Sequence, residues 1–381
     1  MLRLRRCFAV LATLTLVHLL SVNYGSTVYG FVVLERRCPP NGAQVLLADR
    51  NNQDVAPSPS SSPVHSHLQA LLSAMNNDAH QQQSQEEPST AVTTVHLLGT
   101  GITGSLWDLP LSSLALLARA DVILYDALSL RMDDNGDMDH ANSGGLNLLR
   151  SIVAKKECIL ECVGKRGGSN RSWTQADIDS LLVDYAVRRL PAGSTVVRLK
   201  GGDPFLFGRA RTEVEALRAQ QQPSIRYTVT PGLSSCIAGP HFAGIPLTDP
   251  VEDCQSFAVL SGTDKRGMGA GNDDDRQWAN VEVDTLVFLM IGRLANLRTL
   301  CCRIAETGGK RWDETTPCAI VQNAGRIGQQ RVFRGSLSTL VDNIQGALGE
   351  ANNTTATSVS PAILVVGKVA ALNLLDHPSL L

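Results

Sequence analysis

Hydrophobic positions from residue 94 onward switch between strand-like and helix-like spacing. Thr94–Leu98 forms an apolar run that leads directly into the glycine-rich turn Gly99–Gly104. An apolar stretch with helical spacing follows at residues 109–120, and a second apolar run follows at residues 121–126. Short apolar runs bounded by turns indicate buried strands, whereas the longer periodic stretch indicates a helix. The order predicts a β-turn-α-β unit at the start of an α/β fold.

The alternation continues along the chain. Thr174 is followed by Asp177 at the spacing of a capping box, in an acidic variant that marks the start of a helix. We therefore assign these two side chains to the structure of the helix and not to catalysis. Further strands are predicted at residues 158–163, 194–200 and 225–229, and a further helix at residues 211–219.

The N-terminal part of the chain follows another pattern. Arg3, Arg5 and Arg6 precede an apolar run at residues 8–20, which is the layout of a signal peptide. The run is shorter than the roughly twenty residues of a membrane-spanning helix. We expect no stable membrane span in the mature protein, and an uncleaved anchor is the alternative. Residues 31–90 are rich in Pro, Ser, Asn and Gln, which favours a flexible transit or linker segment.

The start of this flexible segment bears on localisation. A signal-peptide-like region followed at once by Phe31 and a basic, hydroxyl-bearing stretch resembles the two-part presequences of algae with secondary plastids. Nine cysteines, including the adjacent Cys301 and Cys302, do not form the pattern of a disulfide framework and indicate reduced thiols. We expect delivery to the plastid, with the secretory pathway as the alternative.

Composition and charge narrow the possible functions. Hydrophobic residues make up 43% of the 381 residues, which supports a substantial core and excludes a wholly disordered chain. With 34 Lys and Arg against 36 Asp and Glu, the formal charge of −2 provides no overall attraction for nucleic acid or an anionic membrane. An anionic ligand must therefore be held by a local cluster. Cys158 and Cys162 lack a second Cys or His pair at ligand spacing, so we expect no metal.

The turn Gly99–Gly104 has the spacing GxGxxG, and Asp126 lies about twenty residues beyond it, at the end of a predicted strand. This arrangement fits the dinucleotide-binding fingerprint, so a hydride-transferring enzyme is one interpretation. The motif alone is weak, because any tight turn needs residues without a Cβ, whatever it binds.

The most informative segment is RLKGGDPFLFGR at residues 198–209. An alternating strand ends there in two glycines, an acid and a proline, and the glycines allow the backbone to approach a ligand. A simple turn would explain Gly201 and Gly202. It would not explain the flanking charges Arg198, Lys200 and Arg209.

Together with GKRGG at 164–168, TPGLSS at 230–235 and AGIPLT at 243–248, this segment resembles the uroporphyrinogen-III C-methyltransferases of the tetrapyrrole methylase superfamily. The resemblance extends from Thr94 to Leu372. It implies two α/β domains with S-adenosylmethionine in the cleft between them, usually in a homodimer. The glycine turn at residue 99 then serves a different cleft from a dinucleotide site. The predicted organisation is a signal-peptide-like segment at 1–30, a flexible segment at 31–90, and methylase domains at 91–250 and 251–381.

The resemblance also implies a reaction and roles for individual residues. The enzyme would methylate uroporphyrinogen III twice, giving precorrin-2 for siroheme. Asp126 would accept a proton from the methylated ring and Lys165 would donate one. A helix cap or a solvated acid is the alternative for Asp126, and a core position is the alternative for Met290. Cofactor contacts are implied for Gly99, Gly101, Gly201, Gly202, Asp203, Leu206, Ser234, Ser235, Met290 and Ala324. On chemical grounds, the candidates for pairing with substrate carboxylates are Arg166, Arg171, Arg198, Lys200 and Arg209.

Two segments depart from the pattern of this family. Its first turn normally reads GxGPGDP, whereas residues 99–105 lack both the proline and the acid, and Ile102 stands at the proline position. Its later ENG is replaced by residues 322–324, in which Ala324 takes the place of the glycine. These changes predict weaker cofactor binding or a reshaped site. They leave two alternatives: a sister methylase with another acceptor, or a catalytically silent protein that binds the cofactor or a tetrapyrrole.

Overall fold

The structure is a computed structural model, which divides into a unit at residues 1–62 and a unit at residues 63–381. It describes residues 17–24, 27–34, 91–104, 106–126, 129–130, 144–155, 157–163, 173–222, 224–263, 281–309, 311–352 and 358–375. In the first unit, strands β1 (Val17–Tyr24) and β2 (Thr27–Leu34) form an antiparallel hairpin. The hairpin was not predicted. Its many β-branched and aromatic residues favour strands, a preference that the signal-peptide interpretation of length and charge does not include.

The first sheet of the second unit is parallel and has five strands. They are β3 (Thr93–Gly99), β4 (Val122–Tyr125), β5 (Ile159–Cys162), β6 (Thr195–Lys200) and β7 (Ile225–Thr230), in the order β5-β4-β6-β3-β7. Four helices accompany them: α1 (Leu111–Arg119), α2 (Gly144–Ile152), α3 (Gln175–Asp184) and α4 (Ala210–Arg218). The predicted β-turn-α-β unit is confirmed by β3, α1 and β4.

Each face of this sheet is covered by two helices. Residues of α1 and α2 pack with Val197 and Leu199 on one face. Residues of α3 and α4 pack with Val196 on the other. Strands buried on both sides read as uninterrupted apolar runs, which is why β4 is buried along its whole length. The predicted capping box at the start of α3 is confirmed, with Thr174 N donating to Asp177 Oδ2 at 2.9 Å.

The second sheet is mixed and lies in the C-terminal half. Its strands are β8 (Phe257–Ser261), β9 (Thr285–Arg293), β10 (Pro317–Gln322), β11 (Arg331–Ser336) and β12 (Ser358–Val366), in the order β11-β10-β12-β9-β8. Only β8 and β9 pair in parallel among the described strands of this sheet. Helices α6 (Leu294–Thr307) and α7 (Leu340–Asn352) share one core cluster with the sheet, and α5 (Ser235–Phe242) contributes to the other. Two α/β halves confirm the predicted fold class.

No helix within the described ranges is long and apolar enough to cross a membrane. The same ranges contain no group of three or more side chains able to hold a metal. The seven cysteines that they include are free thiols. Cys318 and Cys301 lie in the core of the second half, where a hydrogen bond between them and burial raise the pKa of Cys318.

The buried histidine of β3 predicts a pH dependence of stability. His96 Nδ1 lies 2.6 Å from Thr228 Oγ1, and burial together with Arg119 lowers the pKa of His96 from 6.5 to about 4. Between these values the unfolded chain binds the proton and the folded chain does not. The stability that the folded protein gains from keeping His96 neutral is therefore complete above pH 6.5 and is lost as the pH falls towards 4.

A pKa shift of this size corresponds to roughly 3 kcal/mol in the free energy of unfolding. The free energy of unfolding of His96→Gln should therefore fall less than that of the unmodified protein across this interval, by up to that amount. Urea unfolding measured at several pH values tests this expectation, with the exposed His241 changed to Gln as a control. Parallel curves for His96→Gln and the unmodified protein would contradict it.

Candidate active site

A cavity of about 640 Å³ lies between the two halves of the second unit. Loops after β3, β6 and β7 form one wall, since the carboxyl ends of parallel strands meet at one edge of a sheet. Residues of β9 and β12, with those at the end of β10, form the opposite wall. The walls include Gly101, Ile102, Gly201, Gly202, Asp203, Leu206, Ser234, Ser235, Met290, Asn323, Ala324 and Ile363.

Four glycines bring the loops of the first wall into direct backbone contact. Gly202 N donates to Gly101 O at 2.7 Å, which joins the turns after β3 and β6. A Cβ on Gly99 would lie 2.5 Å from the α-carbon of Gly232 and 2.6 Å from Gly202 O. Gly99 was expected to contact the cofactor, but it does not line the cavity. It lacks a side chain because three loops meet at its α-carbon.

Asp203 determines the shape of the loop after β6. Its Oδ1 accepts hydrogen bonds from Phe205 N at 2.8 Å and Leu206 N at 3.1 Å. Its Oδ2 accepts one from Gly232 N at 3.2 Å, which ties the loop to the turn after β7. Asp203 therefore borders the cavity with a carboxylate that is already occupied by backbone amides.

The wall from the second half contains two non-glycine residues in the left-handed region. Met290 has φ +62° and is 47% exposed, and Asn323 has φ +50°. Such backbone conformations cost energy and cluster at functional sites. The alternative of a core position for Met290 is wrong. Ala324 has no positive φ, so its replacement of a glycine imposes no backbone strain.

The first turn is stabilised by an acid that lies further along the chain. Asp108 Oδ2 accepts hydrogen bonds from Ile102 N at 2.8 Å and Thr103 N at 2.9 Å. Gly101, at φ +73°, has no room for a Cβ, which would lie 2.2 Å from the Cβ of Asp108. Asp108 therefore takes the place of the acid that residues 99–105 lack, and its only signal in the sequence is an acid shortly after the glycines.

Four charged side chains form a cluster at the carboxyl end of β6, which we call the charge cluster: Asp126, Arg198, Lys200 and Glu213. Arg198 Nη2 donates to Asp126 Oδ1 at 2.5 Å, and Arg198 Nε donates to Glu213 Oε1 at 3.2 Å. Lys200 Nζ donates to the same Oε1 at 2.7 Å. The Asp126 side chain is 28% exposed, whereas those of Arg198, Lys200 and Glu213 are at most 4% exposed.

The charge cluster corrects two predictions. Arg198 and Lys200 were expected to pair with substrate carboxylates, but both are buried and already paired with internal acids. Burial by itself would lower the pKa of Arg198, but Asp126 and Glu213 raise it above the ordinary value. Burial and the charge of Arg198 lower the pKa of Lys200. Glu213 was missed because an acid in a helix usually faces solvent.

Arg209 remains available as a cation for an anionic ligand. It is exposed, has φ +56°, and lines a groove of about 300 Å³. This groove, which we call the aromatic groove, shares Phe207 and Met290 with the cavity and is also lined by Pro204, Phe205, Ala210 and Arg211. Lys165, Arg166 and Arg171 lie outside the described residues, so their predicted roles stay predictions.

The structure thus brings together nine of the ten predicted cofactor residues, all except Gly99. Asp126 directly follows β4, which pairs with β6, and the loop after β6 forms part of the cavity. A partly exposed acid, a cavity with backbone polar groups and apolar walls, and an adjoining cationic groove suit the binding of two ligands side by side.

Comparisons with known proteins agree with this geometry. Residues 94–341 match the family model described as tetrapyrrole (corrin/porphyrin) methylases. A siroheme synthase of Xylella fastidiosa is 35% identical over 289 residues, 75% of this chain and 51% of that protein. A uroporphyrinogen-III C-methyltransferase of Synechococcus elongatus is 34% identical over 279 residues, 73% of this chain and 94% of that protein.

A similar solved structure is the uroporphyrin-III C-methyl transferase from Thermus thermophilus, complexed with S-adenyl homocysteine. It has a TM-score of 0.51 and 27% identity, and the match covers 72% of this chain and 98% of that one. The chain spans about half the length of the Xylella protein but nearly all of the Synechococcus protein.

Proposed function

Because the chain belongs to the tetrapyrrole methylases, we propose that it is an S-adenosylmethionine-dependent C-methyltransferase that converts uroporphyrinogen III to precorrin-2 for siroheme synthesis. The observation that carries this proposal is the position of nine predicted cofactor residues around one cavity. The similarity to the Thermus enzyme, along nearly the whole of that chain, supports the same ligand.

The cavity suits S-adenosylmethionine in size and chemistry. Its volume of about 640 Å³ falls within the range of roughly 300–1,000 Å³ that is usual for small-ligand sites. Leu206, Met290 and Ile363 offer apolar contact, and Ser234 and Ser235 offer hydroxyl groups at the start of α5. Gly202 has no atom within 4 Å of the position of a Cβ, so its backbone is open to close approach.

S-adenosylmethionine supplies an electrophilic methyl group, so the protein mainly has to orient the two reactants. The loops of Gly101, Gly202 and Asp203 hold one wall of the cavity in place through their mutual hydrogen bonds. Asp126 then takes a proton from the methylated ring, and Lys165 is the proposed proton donor. Asp126 suits its role because its carboxylate is partly exposed and held in one position by Arg198.

The aromatic groove is the proposed site for the tetrapyrrole. Phe205 is 63% exposed and Phe207 43% exposed, an arrangement that suits the flat face of a macrocycle. Arg209 offers a planar guanidinium to the substrate carboxylates, and the predicted Arg166 and Arg171 have the same chemistry. Of the cations predicted for this purpose, Arg198 and Lys200 are excluded by their burial.

The proposal is tested by anaerobic incubation of the purified chain with uroporphyrinogen III and methyl-labelled S-adenosylmethionine. A dimethylated product, identified by mass and absorbance, is the expected result. A product that stays singly methylated would limit the activity to the first transfer. No transfer, with cofactor binding still seen by calorimetry, would refute the proposal in favour of a sister substrate or a silent binder.

Asp108 provides a prediction about cofactor affinity. Asp108→Ala removes the acceptor of two backbone hydrogen bonds in the turn that presents Ile102 to the cavity. A hydrogen bond to a charged group contributes about 1.5–3 kcal/mol, so the dissociation constant should rise by roughly 10- to 100-fold. Calorimetric titration with S-adenosylhomocysteine measures it.

Two further variants make the Asp108 experiment specific. Asp108→Asn keeps an acceptor oxygen and should recover most of the affinity. Asp313 accepts a hydrogen bond from Thr315 N at 2.8 Å before β10, at the end of that strand away from the cavity. Asp313→Ala should leave cofactor affinity unchanged. Normal affinity in Asp108→Ala would show that other contacts hold the turn.

Two expectations about the cellular protein remain proposals. We propose delivery to the plastid by a bipartite presequence, supported by the sequence pattern of the N-terminal region. Retention in the secretory pathway of a fluorescent protein fused to residues 1–90 would count against it. We also propose a homodimer, which the resemblance supports, and light scattering of the mature chain at monomer mass would argue against it.

A further inference from the structure

One member of the charge cluster still lacks a role. Glu213 lies on α4 with its side chain fully buried, and its Oε1 accepts hydrogen bonds from both Arg198 and Lys200. Its Oε2 has no hydrogen-bond partner among the described residues. A buried carboxylate carries a large desolvation penalty that its ion pairs need not repay. Stability alone is therefore a weak reason for its presence.

Arg198 connects Glu213 to the surface. Besides its bonds to Glu213 and Asp126, it donates through Nη1 to Leu199 O at 2.7 Å. A guanidinium is planar and its donors point in fixed directions, so contacts at Nε, Nη1 and Nη2 define its orientation. The Asp126 carboxylate binds to Nη2 of this guanidinium. Its orientation therefore depends on the buried contacts that Nε and Nη1 make.

Lys200 balances the charge of the cluster. The charge cluster has two cations and two anions, and Lys200 lies closer than Arg198 to the shared Oε1, at 2.7 Å against 3.2 Å. With Lys200 compensating Glu213, Arg198 remains able to pair with Asp126. The side chains of Arg198 and Lys200 point to the face of β6 that α4 covers, so the helix and the strand together hold the charge cluster.

We propose that Glu213 is a positioning residue that acts through Arg198 to fix the direction of the Asp126 carboxylate towards the substrate. This inference rests on the proposed function, in which Asp126 accepts the proton. Proton removal from carbon requires the base to point at one bond, and a misplacement of about 1 Å can lower a rate by roughly 100-fold. Positioning of this kind affects turnover and not ligand affinity.

The test compares Glu213→Gln with Asp342→Asn, a change of an exposed helical acid that pairs with Arg298 at the surface of the second half. Glu213→Gln is expected to lower kcat by about 10- to 100-fold, with KM values and the dissociation constant of S-adenosylhomocysteine within about twofold of normal. Asp342→Asn should behave as the unmodified enzyme. Loss of cofactor affinity in Glu213→Gln would instead indicate a merely structural role.

A double-mutant cycle with Asp126→Asn examines the route of the effect. If Glu213 acts through Asp126, adding Glu213→Gln to Asp126→Asn should change kcat by less than about twofold. Multiplicative losses would overturn the inference. Should Glu213→Gln fail to fold, Lys200→Met combined with Glu213→Leu removes one charge of each sign and leaves Arg198 Nε without an acceptor on α4. This double variant should show the same selective loss of kcat.

Failure of the inference can be distinguished from failure of the proposed function. If the unmodified protein transfers no methyl group, the proposed function fails. A crystal structure of Glu213→Gln then decides the inference, because an unchanged Arg198–Asp126 contact would overturn it and a displaced Asp126 would support it. If the unmodified protein is active and Glu213→Gln equals it, the function stands and the inference falls.

Discussion

Asp126→Asn is expected to lower kcat for methyl transfer by about 10²- to 10⁴-fold, which is the usual contribution of a positioned general base. Asparagine has the same size but cannot accept the proton, and its amide oxygen can still accept a hydrogen bond from Arg198. Cofactor affinity should stay near normal, because Asp126 does not line the cavity. Stopped-flow or steady-state assays of product formation, combined with calorimetry, measure both quantities.

A matched control for this variant lies at the other end of the same strand. Asp121 precedes β4, and its carboxylate accepts hydrogen bonds from Thr195 N at 2.8 Å and Lys155 Nζ at 2.6 Å. Asp121→Asn should cost some stability and leave kcat unchanged. A kcat within threefold of normal in Asp126→Asn would remove Asp126 from the chemistry and direct attention to Lys165 or the arginines.

Gly99→Ala is expected to abolish measurable cofactor binding. The added methyl group would overlap backbone atoms of Gly232 and Gly202. Moving the loop of Gly202 would break its hydrogen bond to Gly101, and moving that of Gly232 would break its hydrogen bond to Asp203. Overpacking of this kind costs about 1–3 kcal/mol or more in stability. The free energy of unfolding and the dissociation constant of S-adenosylhomocysteine test the two parts of this prediction.

Gly346→Ala is the matched control, since Gly346 lies in α7 and has no atom within 4 Å of the position of a Cβ. Alanine in a helix is favoured over glycine by about 1 kcal/mol, so this variant should be slightly more stable and bind the cofactor normally. Normal cofactor binding in Gly99→Ala would mean that the loops of Gly202 and Gly232 leave room for a methyl group on residue 99.

The elements of the first half could be predicted because its sheet is covered on both faces. Apolar runs such as residues 121–126 have few polar interruptions, and the turns between them contain glycine. The strand order β5-β4-β6-β3-β7 could not be read in this way, because hydrophobic patterning does not specify neighbours. The strand order of the mixed second sheet could not be predicted from the sequence for the same reason.

The residues that line the cavity could be predicted from motifs, but the structural role of each of them could not. Gly99 and Gly202 look alike in the sequence, yet the α-carbon of Gly99 faces another loop and that of Gly202 faces open space. Arg198 and Lys200 alternate with Val197 and Leu199, a pattern that suggests one polar face. Only the position of α4 shows that this face is also buried, and Glu213 completes it from a distant part of the sequence.

The position of β12 has a consequence for the order in which the protein can form. The first sheet has all its strands once Thr230 has been synthesised, whereas the second lacks its central strand until Val366. Until then, β9 and β10 have unpaired edges of the kind that join other chains and aggregate. Residues 360–363 of β12 also form part of the cavity wall. A nascent chain therefore lacks the complete ligand site, and the cofactor can stabilise only a chain whose synthesis has passed β12.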